Sequence, residues 1–250
     1  LENAGSNFTQ MIAGMGYFFI IVLPITALIG LIIIPDSKRN EGTNFPSFSD
    51  LPLILKDNRP LIRTLLIEFL CSSASSISAV TYIYLAKHVF DLEEISSRIL
   101  FLYFFAGLLV MPLWMKVSYL IGKPKTFFIS TILCSLTLAS YLFINTNDAL
   151  ITLVILTILY GIGYGAPFTL TRALMADIVD ADELKSEKKR PGLFYSILTT
   201  FSKVGAAIAV GLVYTYLEFN GFKPDQVASE KIREILLFVF AFIPMFLYFC

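Results

Sequence analysis

The residue with the most to explain is Lys203. It stands ten residues beyond Leu193 in the apolar run Leu193–Leu217, about 15 Å along a helix that rises ~1.5 Å per residue. That depth is near the middle of any membrane the run crosses, where a lysine costs roughly 2.5–3.5 kcal/mol to insert. At 100° per residue, Ser196, Thr199, Thr200, Ala206, Ala207 and Tyr214 fall within about 60° of Lys203, while Ile197, Phe201 and Leu212 point elsewhere. A polar, small-residue face of this kind lines a wet cavity; the alternative is a structural ion pair between Lys203 and a carboxylate on another helix. The preceding run contains Tyr160-Gly161-Ile162-Gly163-Tyr164-Gly165-Ala166-Pro167-Phe168. Its glycines and proline weaken a helix interior, which a membrane tolerates where backbone is buried in protein or faces a cavity; the alternative is close helix packing through small residues. Tyr164 and Phe168, one turn apart, make an aromatic platform. Aromatic faces beside hydroxyls and a cation suit a polyhydroxylated solute, whose C–H face stacks while its oxygens are hydrogen-bonded.

The second cluster is electrostatic. Asp177, Asp180, Asp182, Glu183 and Glu187 are followed or interleaved by Lys185, Lys188, Lys189 and Arg190 within one short segment. A solvated charged loop is one reading. A sharper one is an ion-pair latch, in which acids at one helix end bind the bases that follow and which opens when a cavity opens to that side, with Asp177, Asp180, Lys189 and Arg190 as its candidate residues. The Asp177-x-x-Asp180 spacing also resembles the aspartate-rich motifs by which membrane prenyltransferases hold Mg²⁺-diphosphate. That chemistry needs a second such motif facing the first, and no other loop on that side carries one, so the expectation is a transporter and not an enzyme.

Membrane-spanning helices must position these residues. Of 250 residues 56% are hydrophobic, and 19 basic and 19 acidic residues cancel. Seven apolar runs stand out: Met11–Pro35, Thr64–Ala86, Ile99–Ile121, Phe127–Asn145, Leu150–Ala176, Leu193–Leu217 and Ile235–Cys250. Together they hold only Glu68, Lys116, Arg172 and Lys203 among charged residues. About 18 apolar residues cross a bilayer, and soluble domains do not segregate charge this way. No basic surplus exists to hold nucleic acid, and Cys71, Cys134 and Cys250 lack the paired spacing of a zinc site. The fold class expected is an all-α membrane protein. Lys116 and Arg172 lie near helix ends and read as snorkelling side chains, with an acid partner the alternative for Arg172. Trp114 reads as an interfacial belt residue. Glu68 is expected to be partly buried beside Ser72 and Ser75, with no partner assigned.

The hydrophilic stretch 36–63 reads as a linker between two bundles, with a short surface helix around Leu51–Lys56. Residues 1–35 are then the last helix of one bundle and 64–250 a six-helix bundle, as expected for a fragment of a transporter built from two six-helix halves. Lys38, Arg39, Lys56, Arg59, Arg63, Lys123, Lys125, Lys185, Lys188, Lys189 and Arg190 outnumber the opposite Lys87, Arg98, Lys223, Lys231 and Arg233. The positive-inside rule puts the linker in the cytoplasm, and the expected location is the plasma membrane.

The segments Ala-Asp-Ile-Val-Asp-Ala-Asp-Glu-Leu-Lys (176–185) and Arg-Pro-Gly-Leu-Phe-Tyr-Ser-Ile-Leu-Thr-Thr-Phe-Ser-Lys-Val-Gly-Ala-Ala (190–207) carry a resemblance. Together they resemble the glycoside-pentoside-hexuronide:cation symporters, the melibiose permease group of the major facilitator superfamily. The resemblance implies a multi-pass transporter that moves a small solute, a sugar above all, together with Na⁺ or H⁺ by alternating access. It implies that Lys203 and Thr199 sit at the sugar site, and that Phe168 takes the place of a helix-ten tryptophan. Leu198 replaces a glutamine. Asp177, Asp180 and Lys189 match charged positions of an inner gate. The family's cation-coordinating aspartates lie on helices two and four of the other half, so the coupling ion's site is expected outside this chain. A lipid-carrying relative, with an acyl chain in the cavity and Lys203 on a headgroup, is the alternative within the superfamily.

Overall fold

A computed structural model describes residues 2–33, 52, 54, 55, 58–144, 149–224, 226 and 228–250, and among them every extended run of structure is helical. The chain divides into two units, Leu1–Asn44 and Phe45–Cys250. The first contains α1, Glu2–Ile33, whose side chains from Ile12 onward are almost all exposed. Exposed Phe18, Ile20, Leu31 and Ile32 suit a surface meant for lipid or other helices, not water.

The second unit is a bundle of α2 (Arg59–His88), α3 (Glu93–Ile121), α4 (Lys123–Tyr141), α5 (Ala149–Ser186), α6 (Pro191–Phe219) and a broken last helix, α7 (Glu230–Leu237) and α8 (Ile243–Phe249). The apolar runs of the sequence are thus helical, most of them extended by polar residues, while the run from Phe127 leaves its helix at Tyr141 and the last run is broken. The α2 helix begins ahead of its apolar run because Asn58 caps it, its side-chain oxygen accepting from the Leu61 N–H at 3.1 Å, with Pro60 in the first turn. Of the expected linker, Pro52, Ile54 and Leu55 are helical, and Ile54 is buried in the cluster that holds Leu61, Leu65, Leu193 and Phe194. Residues 58–63 of it cap and open α2, and the remainder of the linker lies outside the described residues.

Six helices among the described residues are long and apolar enough to cross a membrane. The exception, α4, buries Thr126, Ser130, Thr131, Ser135 and Thr137, which lowers its hydropathy. These hydroxyls are satisfied without water. Thr126, Ser130, Thr131 and Thr137 donate to carbonyls one turn back, and Ser135 donates to the Met245 carbonyl across the bundle.

Two proline-linked features shape the bundle. Pro244 has no N–H for the Phe240 carbonyl, and α7 and α8 are joined there by a wider π-type turn, Phe238–Phe242, with the Ser78 hydroxyl 3.5 Å from the stranded oxygen. Pro167 leaves α5 continuous over 38 residues. The glycines before it are packing residues: a Cβ on Gly161 would strike the Tyr103 carbonyl, one on Gly163 would lie 2.7 Å from Cys134 Sγ, and one on Gly165 2.8 Å from the Gly107 carbonyl. Small-residue packing therefore accounts for the glycine pattern, and it draws α3 and α4 tightly onto α5. A similar approach of Gly205 to Phe69 joins α6 to α2. Consecutive α5 and α6, by contrast, barely touch along their length.

Candidate functional site

A cavity of about 240 Å³ fills the gap between α5 and α6, with α2 as its third wall. We call the end of the bundle where α2, α4 and α6 begin the lower end. Lys203, Thr199, Phe168 and Tyr164, picked out from the sequence, all line this cavity. The polar face expected around Lys203 divides: Thr199 and Ala206 line the cavity, joined by Ser202 from outside that face, whereas Ser196, Thr200, Ala207 and Tyr214 do not. No ion pair engages Lys203 among the described residues, so the structural-pair alternative has no contact to support it.

Two further charges open onto the same space. Arg172 was expected either to snorkel or to pair with an acid, and among the described residues no acid pairs with it. Instead its guanidinium sits 4.3 Å from the centroid of the Phe168 ring and donates to the Phe168 carbonyl at 2.7 Å, the cation over an aromatic face. Phe168 thereby becomes a stacking surface backed by a cation. On α2, Glu68 is 8% exposed and lines the cavity with Ser72, Ser75 and Ser76. It was left without a role in the sequence because only the fold shows which way this face of α2 turns.

The hydroxyls have a common orientation. Ser72 donates to the Ser202 carbonyl, Ser75 to the Ser72 carbonyl at 3.1 Å and Thr199 to the Tyr195 carbonyl at 2.8 Å. The protons of these three hydroxyls are used by the backbone, which leaves their oxygen lone pairs for the cavity. Donors are supplied by Lys203 and Arg172. Tyr164 stacks on Tyr103, with ring centroids 5.6 Å apart, and so is fixed in place as an apolar wall. The arrangement can hold an oxygen-rich solute by both donors and acceptors while a ring lies against Phe168.

At the lower end, acids near the end of α5 pair with bases that follow, and one pairs with a base from α4. Arg190 makes a two-pronged contact with Asp182, Nε to Oδ2 at 2.7 Å and Nη2 to Oδ1 at 2.9 Å, both side chains 11% exposed. Asp177 binds Lys123 at 2.6 Å, and Lys123 also donates to the Ala173 carbonyl at 3.1 Å. Gly122, at φ +90°, lets α3 run directly into α4 and places Lys123 against the end of α5. Lys189 meets Glu183 at 3.5 Å on the surface. Asp180 is exposed and belongs to none of these pairs. Asp177 and Asp180 therefore do not stand as a free metal-binding couple, because Asp177 is held by an ammonium group. Trp114 is not a belt residue: it is buried against Ala166 and Leu170, and its indole N–H donates to the Ile162 carbonyl at 2.8 Å.

The profile of the MFS/sugar transport protein family matches residues 3–250. Similar curated proteins include an uncharacterized symporter of Synechocystis sp., 26% identical over 263 residues, which covers 95% of this chain and 48% of the relative. A glucuronide carrier protein homolog of Escherichia coli is 27% identical over 225 residues, 86% of this chain and 48% of that protein. The sodium-dependent lysophosphatidylcholine symporter 1-A of Danio rerio is 23% identical over 183 residues, 71% of this chain and 34% of its own. The chain spans about half the length of the first two relatives. With a family profile that runs along almost its whole length and a bundle of membrane-spanning helices around a polar cavity, the chain belongs to the MFS/sugar transport protein family.

Proposed function

We propose that this chain supplies the second half of a secondary active transporter that carries a sugar-like solute together with Na⁺ or H⁺ through the plasma membrane. The observation that carries the reading is the cavity between α2, α5 and α6, where Lys203, Arg172, Thr199, Phe168 and Tyr164 converge. Its donors are cationic, its hydroxyls present lone pairs, and one wall is an aromatic ring, the set that a polyhydroxylated and especially an acidic sugar requires. The glucuronide carrier homolog among the relatives fits that chemistry. On this reading residues 1–35 close a first bundle, residues 36–63 are a cytoplasmic linker, the lower end faces the cytoplasm, and the coupling ion binds in the other half. The Arg190–Asp182 and Lys123–Asp177 contacts then hold the cytoplasmic end and part when the cavity opens inward.

The test is uptake of radiolabelled glucuronide and neutral glycoside by a protein that contains both halves, with and without an imposed Na⁺ or H⁺ gradient. Gradient-driven uptake that Lys203→Ala lowers at least tenfold is expected. Uptake untouched by Lys203→Ala removes the site assignment. Uptake inhibited by lysophosphatidylcholine and indifferent to both sugars transfers the reading to the lipid-carrying relatives.

A further inference from the structure

Glu68 is the charged group of the cavity that the solute reading does not yet use. It is 8% exposed and lines the cavity, yet makes no hydrogen bond or ion pair among the described residues. The Glu68 oxygens are not among the buried polar atoms that lack a partner, so the side chain is packed along its stem while its carboxylate reaches the open space of the cavity, with acceptor lone pairs that no protein donor occupies. The two cations of the cavity do not provide one. Arg172 is engaged by the carbonyl and ring of Phe168, and Lys203 lies on the facing helix without an ion pair. Helices α2 and α6 run in the same direction and are pinned by the Ser72 bond to Ser202, next to Lys203. Glu68 lies one turn before Ser72, about 6 Å along the axis at ~1.5 Å per residue. A carboxylate and an ammonium therefore face the same space about one turn apart in height, with the cavity between α2, α5 and α6 around them. That spread is comparable to a single sugar ring with its substituents.

We propose that Glu68 is a specificity-determining residue that accepts hydrogen bonds from donor groups of the solute, while Lys203 and Arg172 take its acidic or acceptor groups. The cavity thus reads a solute by two poles. It binds a molecule with hydroxyl donors opposite an anionic group better than it binds a dianion, which would set a negative group against Glu68. This inference rests on the reading of the cavity as a solute site. It adds a selective element contributed by α2, a helix with no residue in the site deduced from the sequence.

The experiment measures binding of methyl glucuronide, of its mono-deoxy analogues and of glucarate, a dianion of similar size, to the purified protein containing both halves. Wild type, Glu68→Gln and Glu68→Asp are compared, together with their melting temperatures without solute. Glu68→Gln is expected to weaken methyl glucuronide binding about 10- to 100-fold, as loss of hydrogen bonds to a charged group does. It should narrow the preference over glucarate and leave the solute-free melting temperature unchanged or higher. At least one deoxy analogue should lose affinity in wild type and lose little more in Glu68→Gln. Unchanged affinity in Glu68→Gln overturns the proposal, as does a lowered melting temperature with unchanged selectivity, which marks a structural group. Should Glu68→Gln fail to fold, Glu68→Asp with wild-type affinity for every analogue overturns it equally. Wild-type protein that binds none of the sugars removes the solute reading itself, an outcome distinct from a Glu68 variant that binds like wild type.

Discussion

Gly161 and Gly192 predict opposite results for the same substitution. A methyl group at Gly161 meets the backbone of Tyr103, which cannot swing aside, whereas one at Gly192 meets nothing within 4 Å. Gly161→Ala is expected to destabilise the bundle by about 1–3 kcal/mol through overpacking, and Gly192→Ala to be neutral or stabilising by up to about 1 kcal/mol through helix propensity. Thermal unfolding of the two variants in detergent decides, and equal melting temperatures would contradict the packing described. Trp114→Phe keeps a ring against Ala166 and Leu170 but loses the bond to the Ile162 carbonyl; a loss of about 1 kcal/mol is expected. At this scale the sequence is a partial guide. Lys203 was legible because a lone cation in an apolar run must have a reason. Arg172 was not, because its distance from a helix end describes its depth but not its direction, and an aromatic ring one turn away drew it inward.

Among elements, helices were legible and their neighbours were not. Apolar runs follow from the thickness of a bilayer, so the runs are helical, most with polar extensions and the last one broken at Pro244. Which acid meets which base depends instead on the turn at Gly122, which sets Lys123 beside α5 although fifty-four residues separate it from Asp177. No spacing along the chain encodes that. The latch accordingly carries a comparative prediction. Asp182→Asn breaks the largely buried two-pronged contact with Arg190 and is expected to cost about 1–3 kcal/mol. Asp180→Asn, at an exposed carboxylate outside these pairs, is expected to change stability by less than about 0.5 kcal/mol. Chemical denaturation that ranks the two in the reverse order would contradict the pairing described. Lys189→Ala, at an exposed and long contact, is expected to cost less than about 1 kcal/mol.

For the molecule as a whole, the cavity falls along a seam. Helices α3, α4 and α5 pack closely on one side, α2 and α6 on the other, and the broken last helix touches both groups. Native thiols report on that seam without added cysteines. Cys71 lines the cavity, whereas Cys134 is fully buried against Gly163. A small thiol reagent is expected to modify exposed Cys250 first, Cys71 slowly through the cavity and Cys134 not at all, with bound solute slowing the Cys71 reaction further; mass spectrometry of labelled peptides follows all three, and equal labelling of Cys71 and Cys134 would contradict the packing. The unbroken length of α5 has a mechanical consequence. Ser186 lies 19 residues beyond Pro167, about 28 Å along the axis, and prolines are where helices bend. A bend of about 10° at Pro167 swings Ser186 through about 5 Å and Asp177, ten residues along, through almost 3 Å. The second displacement is enough to separate an ion pair that now stands at 2.6 Å. Were Phe168, next to Pro167 in the cavity wall, to shift with a bound solute, the helix would act as a lever that carries the shift down to the Lys123–Asp177 contact.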